Sequence, residues 1–240
     1  MTPRTKLEPK PALKPSTEPR ETSEITAFLA QARQRPGLVD RSGGRLIFAL
    51  DATMSRQQTW DAACALQGEM FDAASRAGGL SVQLVYFRGL DEARASRWVS
   101  DAKSLRKLMS GIACHGGLTQ IGRVLDHAIT AASKQPVAAV VYVGDAMEED
   151  VDALCAKAGI LGLHNTKAFM FLEGRNPAAK RAFCEIARLT GGTMLPFDRG
   201  SAAELRALLG AVATYAAGGR QALEAAGTDA ARRLLADLRG

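Results

Sequence analysis

The sequence predicts an α/β domain with a doubly wound, mostly parallel six-stranded sheet, one antiparallel edge strand and helices on both faces. Three observations predict it. Apolar runs recur at 45–50, 81–87, 137–143, 167–172 and 192–197, nearly continuous in hydrophobicity, as strands buried on both faces must be. Helical patterns fill most of the gaps, over 57–77, 119–133, 147–158, 177–189 and 201–215, and a parallel strand needs such a crossover. One interval departs from this rhythm: residues 93–99 alternate polar and apolar after a short turn at Gly89-Leu90-Asp91. That alternation suits an antiparallel edge strand with one solvated face.

Taken in order, residues 1–22 hold five of the nine prolines among Lys, Glu, Ser and Thr. They read as a disordered or extended tail that cannot bury a core. Residues 23–43 read as a short amphipathic helix opened by Ser23, followed by a glycine-containing linker. The main domain spans 44–217, with a helix over 101–113 leading from the edge strand back to the sheet. A helical extension, rich in Ala, Leu and Arg and interrupted at Gly227, covers 218–240.

Composition narrows the function classes. Of the 240 residues, 47% are hydrophobic and 23% charged, enough for a sizeable core and unlike a disordered chain. The net charge is +6, and half of it comes from the five basic and two acidic side chains of residues 1–20. A basic stripe with interleaved aromatics, the footprint of nucleic-acid binding, is missing, so no nucleic-acid partner is expected. Cys64, Cys114, Cys155 and Cys184 form no C-x-x-C pair and read as small buried thiols. No apolar run reaches membrane-spanning length and no export-signal pattern opens the chain, so a cytoplasmic location is expected.

The chemistry concentrates where the first strand ends, in Asp51-Ala-Thr53-Met-Ser55. One carboxylate and two hydroxyls at i, i+2 and i+4 put three small oxygen donors into one tight loop, and oxygen is the donor a hard cation such as Mg²⁺ prefers. In an open α/β sheet, ligands bind beyond the carboxyl ends of the strands where strand order reverses. Two further segments belong at such places: His115-Gly116-Gly117-Leu118-Thr119, a glycine turn opening a helix, and Gly144-Asp145 after the strand 137–143. If the first and fourth strands flank the reversal, Asp51 and Asp145 end side by side and Thr119 arrives from the adjoining loop.

Those three motifs in that order resemble a von Willebrand factor type A domain, with the likeness covering about residues 44 to 215. That family carries an Asp-x-Ser-x-Ser, Thr and Asp set, the metal-ion-dependent adhesion site. Here Thr53 stands where the family usually has Ser, which keeps the hydroxyl and adds a methyl. The resemblance implies a Rossmann-like sheet and a Mg²⁺ ion, or Mn²⁺ or Ca²⁺ in its place. Thr53, Ser55 and Thr119 would lie near the metal, with Asp51 and Asp145 closing the shell directly or through water. It also implies a non-catalytic role: a mostly neutral ligand set leaves a coordination position open for an Asp or Glu of a protein partner. Intracellular bacterial members often act as adaptors beside AAA-type ATPases or in stress-response systems, so a partner of that kind is expected.

Plainer roles exist for the same residues. Asp51, Ser55, Thr119 and Asp145 are each suited to cap the following helix. Glu148, Glu149 and Asp150 read as solvated acids in the first turn of their helix, with a role behind the metal ligands for Glu148 as the lesser alternative. His115 reads as a loop residue without special function, His127 and His164 have no partner by spacing, and Trp60 and Trp98 read as packing residues. Met54 and Arg56 flank the loop. The enzyme alternative is a Mg²⁺-dependent phosphotransferase of the haloacid dehalogenase type. That chemistry needs a second carboxylate two residues after the first, and position 53 is Thr. A nucleotide-binding module fares worse, since neither G-x-G-x-x-G after the first strand nor a P-loop is present.

Overall fold

The computed structural model describes residues 43–52, 61, 63, 69–115, 117–198 and 201–238. The expected tail, the helix of 23–33, most of the helix of 57–77, Thr53, Met54, Ser55, Arg56, Trp60, Cys64 and Gly116 lie outside them.

Within these residues the strands are β1 (Gly44–Asp51), β2 (Leu80–Arg88), β3 (Glu92–Val99), β4 (Ala139–Gly144), β5 (Lys167–Glu173) and β6 (Thr193–Phe197). Helical residues 69–75 form α1. The later helices are α2 (Ala102–Ser110), α3 (Ile121–Lys134), α4 (Val151–Leu163), α5 (Pro177–Thr190), α6 (Ala202–Ala226) and α7 (Asp229–Asp237). The six strands make one sheet in the order β3-β2-β1-β4-β5-β6. All pairs are parallel except β2 with β3. The order reverses between β1 and β4, the arrangement on which the proximity of Asp51 and Asp145 was conditional.

Alternate side chains explain the two helical layers. Leu46, Phe48 and Leu50 of β1 face Leu205, Leu208 and Val212 of α6 and Leu105 and Met109 of α2. Ile47 and Ala49 face the opposite layer with Ile121 and Val124 of α3, Leu154 of α4 and Phe183 of α5. Each large side chain fully buried this way contributes about 1.5–3 kcal/mol. On the second face Tyr142 stacks on Phe87 with centroids 5.9 Å apart and meets the edge of Phe183 at 5.3 Å.

The edge strand β3 exposes Arg94, Ala95 and Arg97, charged protection against edge-to-edge pairing. Its register with β2 shifts between Gln83 and Val85. The Leu84 amide beside the shift donates instead to Ser96 Oγ at 3.0 Å. Trp98 receives the Arg45 guanidinium 3.8 Å from its ring centroid, a cation–π contact.

Two expectations change here. Cys184 is exposed, whereas Cys114 is buried and Cys155 partly so; Cys184 sits on the outer side of α5, so it is no core thiol. The helix expected over 147–158 begins at 151, because Asp150 caps it by accepting from the Ala153 amide at 2.8 Å. The expected division at 217/218 lies beside a kink in α6 at the non-helical Gly219, and the helical segment beyond it runs to Ala226 and ends at Gly227 in the left-handed region. Leu223, Ala231 and Leu234 then join the same buried cluster as β1.

His127 does have a partner. Its Nε2 lies 2.8 Å from Gln83 Oε1, while Gln83 Nε2 donates to the Ser96 carbonyl at 2.7 Å. That second bond fixes Oε1 as an acceptor, so His127 carries its proton on Nε2. Burial, with repulsion from Lys134 second, holds the His127 pKa below its ordinary 6.5. The unfolded chain therefore takes up this proton first as the pH falls. The stabilisation is complete above pH 6.5 and is lost on descent through the lowered folded value. Melting temperatures recorded across that range are expected to decline just below 6.5, and His127→Gln to flatten that part of the curve; an unchanged slope would remove His127 as its source.

Candidate metal centre

The candidate site lies at the carboxyl ends of β1, β2 and β4. Leu50 pairs with Val143, so Asp51 stands level with Gly144 and Asp145 follows one position on. Asp51 is only 3% exposed, whereas Asp145 is half-buried. Both take part in polar or electrostatic interactions. Burying a carboxylate at a strand end is costly unless positive charge or donors converge on it.

The loop before α3 crosses over these strand ends and is pinned at several points. The His115 amide donates to the Ala52 carbonyl at 2.9 Å, and the Leu118 amide to the Gly89 carbonyl at 3.1 Å. A Cβ on Gly117 would lie 2.2 Å from the Gly89 oxygen, so only glycine allows the two backbones to touch. Arg88 adds a brace: its Nη1 donates to the Ala113 carbonyl at 2.8 Å. Its Nε and Nη2 grip Glu92 at 2.8 and 3.2 Å. That grip, more than the second bond from Arg94, holds the Glu92 carboxyl below its usual range. Arg123 reaches the same β2–β3 turn through the Asp91 carbonyl and carboxylate.

Thr119 is buried at the end of this loop, and it meets Glu148, the contact that sequence reading held as the lesser alternative. Its hydroxyl donates to Glu148 Oε2 at 2.7 Å and its amide donates to the same oxygen at 3.1 Å. The Glu148 amide donates back to the Thr119 hydroxyl at 3.2 Å. Glu149 accepts from the Ile121 amide at 2.5 Å and the Gly122 amide at 2.8 Å. Glu148, though exposed, and the half-buried Glu149 are therefore not first-turn acids of their own helix. They satisfy the open amides around the start of α3, where the helix dipole favours negative charge. Thr119 is not the cap residue either: Gln120 occupies that position and makes no side-chain cap bond. Nor does Asp145 cap α4, a role held by Asp150. No local sequence signal marks these contacts, because donor and acceptor lie 27–29 residues apart.

The described donors suit a hard cation in kind. Asp51 and Asp145 are carboxylates at adjacent strand ends. Thr119 offers a hydroxyl whose proton is committed to Glu148, leaving one lone pair. Gln120 is a donor sequence reading missed: its Oε1 is buried and unpartnered, while its Nε2 reaches the Arg88 carbonyl at 3.3 Å. Thr53 and Ser55, the other expected ligands, lie outside the described residues. Among the described residues no group of three or more His, Cys, Asp and Glu is placed to hold a metal. The expected set, in contrast, relies on hydroxyls.

The fold defines a class: a doubly wound α/β domain with Asp51 and Asp145 at neighbouring strand ends where the strand order reverses. Solved structures place it further. The von Willebrand factor type A protein of Catenulispora acidiphila superposes with a TM-score of 0.57 at 16% identity, over 72% of this chain and 42% of that one. The SpRpn10 VWA domain gives 0.56 at 12% identity, over 69% and 94%. An aerotolerance-related membrane protein of Bacteroides fragilis gives 0.52 at 17% identity, over 68% and 96%. The chain thus has the von Willebrand factor type A fold. No protein-family model matches the sequence, and no curated protein matches it significantly. Among the described residues no helix is long and apolar enough to cross a membrane.

Proposed function

We propose that this chain is a non-catalytic, divalent-cation-dependent protein-binding domain that captures an Asp or Glu side chain of a partner. The reading is supported by Asp51 ending β1 level with Gly144, next to Asp145, across the reversal between β1 and β4, and by the Thr119 hydroxyl bonded to Glu148 of the connection that carries Asp145. Thr53 and Ser55 would complete the cation's protein ligands. A bound Mg²⁺ or Mn²⁺ supplies an open coordination position that a carboxylate from outside fills. The chain's own residues orient the donors and hold the loop against β2.

The surroundings support a protein partner. Leu90 is 77% and Leu118 51% exposed, and their backbones adjoin through the Leu118 amide and Gly89 carbonyl. Exposed apolar side chains grouped on one surface are what an interface core needs. The fold is shared with a pilus adhesin, SpaC of Lactobacillus rhamnosus GG, at a TM-score of 0.56 and 10% identity. An intracellular adaptor for an AAA-type ATPase or a stress-response complex is the setting we favour.

The test is retention of a partner from cell extract on the immobilised chain, with EDTA and with Mg²⁺ restored. Capture that EDTA abolishes and Mg²⁺ restores is expected, and capture indifferent to both would end the cation reading. The double variant Leu90→Ser, Leu118→Ser is expected to weaken capture about tenfold or more while leaving Mn²⁺ affinity unchanged, as loss of central apolar contacts commonly does. Equal capture by variant and wild type would place the interface elsewhere.

A further inference from the structure

We propose that Glu148 is a positioning residue that presets Thr119 as a cation ligand and ties it to the loop carrying Asp145. The inference rests on the cation reading above and adds a residue that the expected ligand set does not contain. Three hydrogen bonds join positions 119 and 148. Two come from Thr119 to one carboxylate oxygen, and the third returns from the Glu148 amide to the hydroxyl. Together they fix the Thr119 rotamer, the direction of its proton and therefore the direction of its remaining lone pair.

The chemistry of that arrangement favours a metal ligand. A hydroxyl that donates to a carboxylate gains electron density on oxygen, which makes it a better donor to a cation. Outer partners of this sort orient ligands and raise their basicity. Position also matters: Glu148 lies three residues after Asp145 on the β4–α4 connection, while Thr119 belongs to the loop before α3. The Glu148–Thr119 link thus joins two candidate ligands from separate elements. Glu149, beside it, bonds only amides of α3 among the bonds described, and serves as the internal comparison.

The experiment is Mn²⁺ titration of the full chain, followed by electron paramagnetic resonance and calorimetry, with apo melting curves alongside. Glu148→Ala is expected to weaken Mn²⁺ binding by about 10–100-fold, the range found for outer-shell partners. Glu148→Gln, whose amide oxygen still accepts from the Thr119 hydroxyl, is expected to recover most of that loss. Glu149→Ala is expected to lower the melting temperature yet change Mn²⁺ affinity less than about threefold. Wild-type affinity in Glu148→Ala overturns this inference alone. Glutamine as poor as alanine, or Glu149→Ala as damaging as Glu148→Ala, also overturns it, because local charge and not position would then be responsible. A wild-type chain that binds no Mn²⁺ overturns the cation reading and this inference with it.

Discussion

Asp51→Ala is expected to reduce Mn²⁺ affinity by about 100-fold or more, and to abolish EDTA-sensitive partner capture with it. The magnitude follows from the position. Loss of a partner one shell removed from a metal costs about 10–100-fold, and a direct or water-linked carboxylate on the central strand should cost at least as much. Asp51 ends β1, which pairs with both β2 and β4, so its backbone is fixed on both sides. Asp51→Asn is the companion variant, since it preserves volume in a place only 3% exposed and removes the charge. Calorimetric titration with Mn²⁺ decides the matter; binding at wild-type strength in both variants would end the assignment of Asp51.

The second large effect concerns the scaffold. A Cβ at Gly44 would lie 1.7 Å from the Ala216 carbonyl oxygen and 2.7 Å from the Ala217 Cα. Those atoms belong to the backbone of α6, so no side-chain rotation relieves the clash, and β1 and α6 must separate. Gly44→Ala is expected to destabilise the domain by about 3 kcal/mol or more, at or beyond the upper end for overpacking. For a domain this size that is a fall in melting temperature of roughly 6–12 °C. Gly111→Ala provides the contrast. Its nearest atom would be 3.7 Å away and its φ of −85° suits any residue, so it should change the melting temperature little. Equal melting temperatures for Gly44→Ala and the wild type would show that the strand and helix can part at little cost.

Fold and site were not equally readable from the sequence. Strand runs are bounded by glycines and polar turns, and a continuous apolar run such as 45–50 has few alternatives to a strand covered on both faces. The edge strand was readable from its alternation, which the structure places as β3 with its exposed arginines. The helix after β4 was placed several residues early because Met147, Glu148 and Glu149 look like a first turn. The two glutamates are instead drawn to the amides at the start of α3, Met147 packs against the core, and Asp150 starts the helix. His127 reads as solitary in a helix because its partner, Gln83, is 44 residues away on β2.

Patterns of period two and near four are local properties of the chain, so hydrophobic periodicity established a mostly parallel α/β sheet with an antiparallel edge strand, and the strand order with its reversal between β1 and β4 came from the structure. The same motifs nominated Asp51, Thr119 and Asp145, since strand ends in such a sheet converge by topology. Which groups surround those donors was settled only by tertiary packing. Glu148 on Thr119, Glu149 on α3 and Gly117 against Gly89 each join segments 27–29 residues apart. A hydrogen bond or close backbone approach depends on where two distant segments meet, and no periodicity within either segment encodes that meeting.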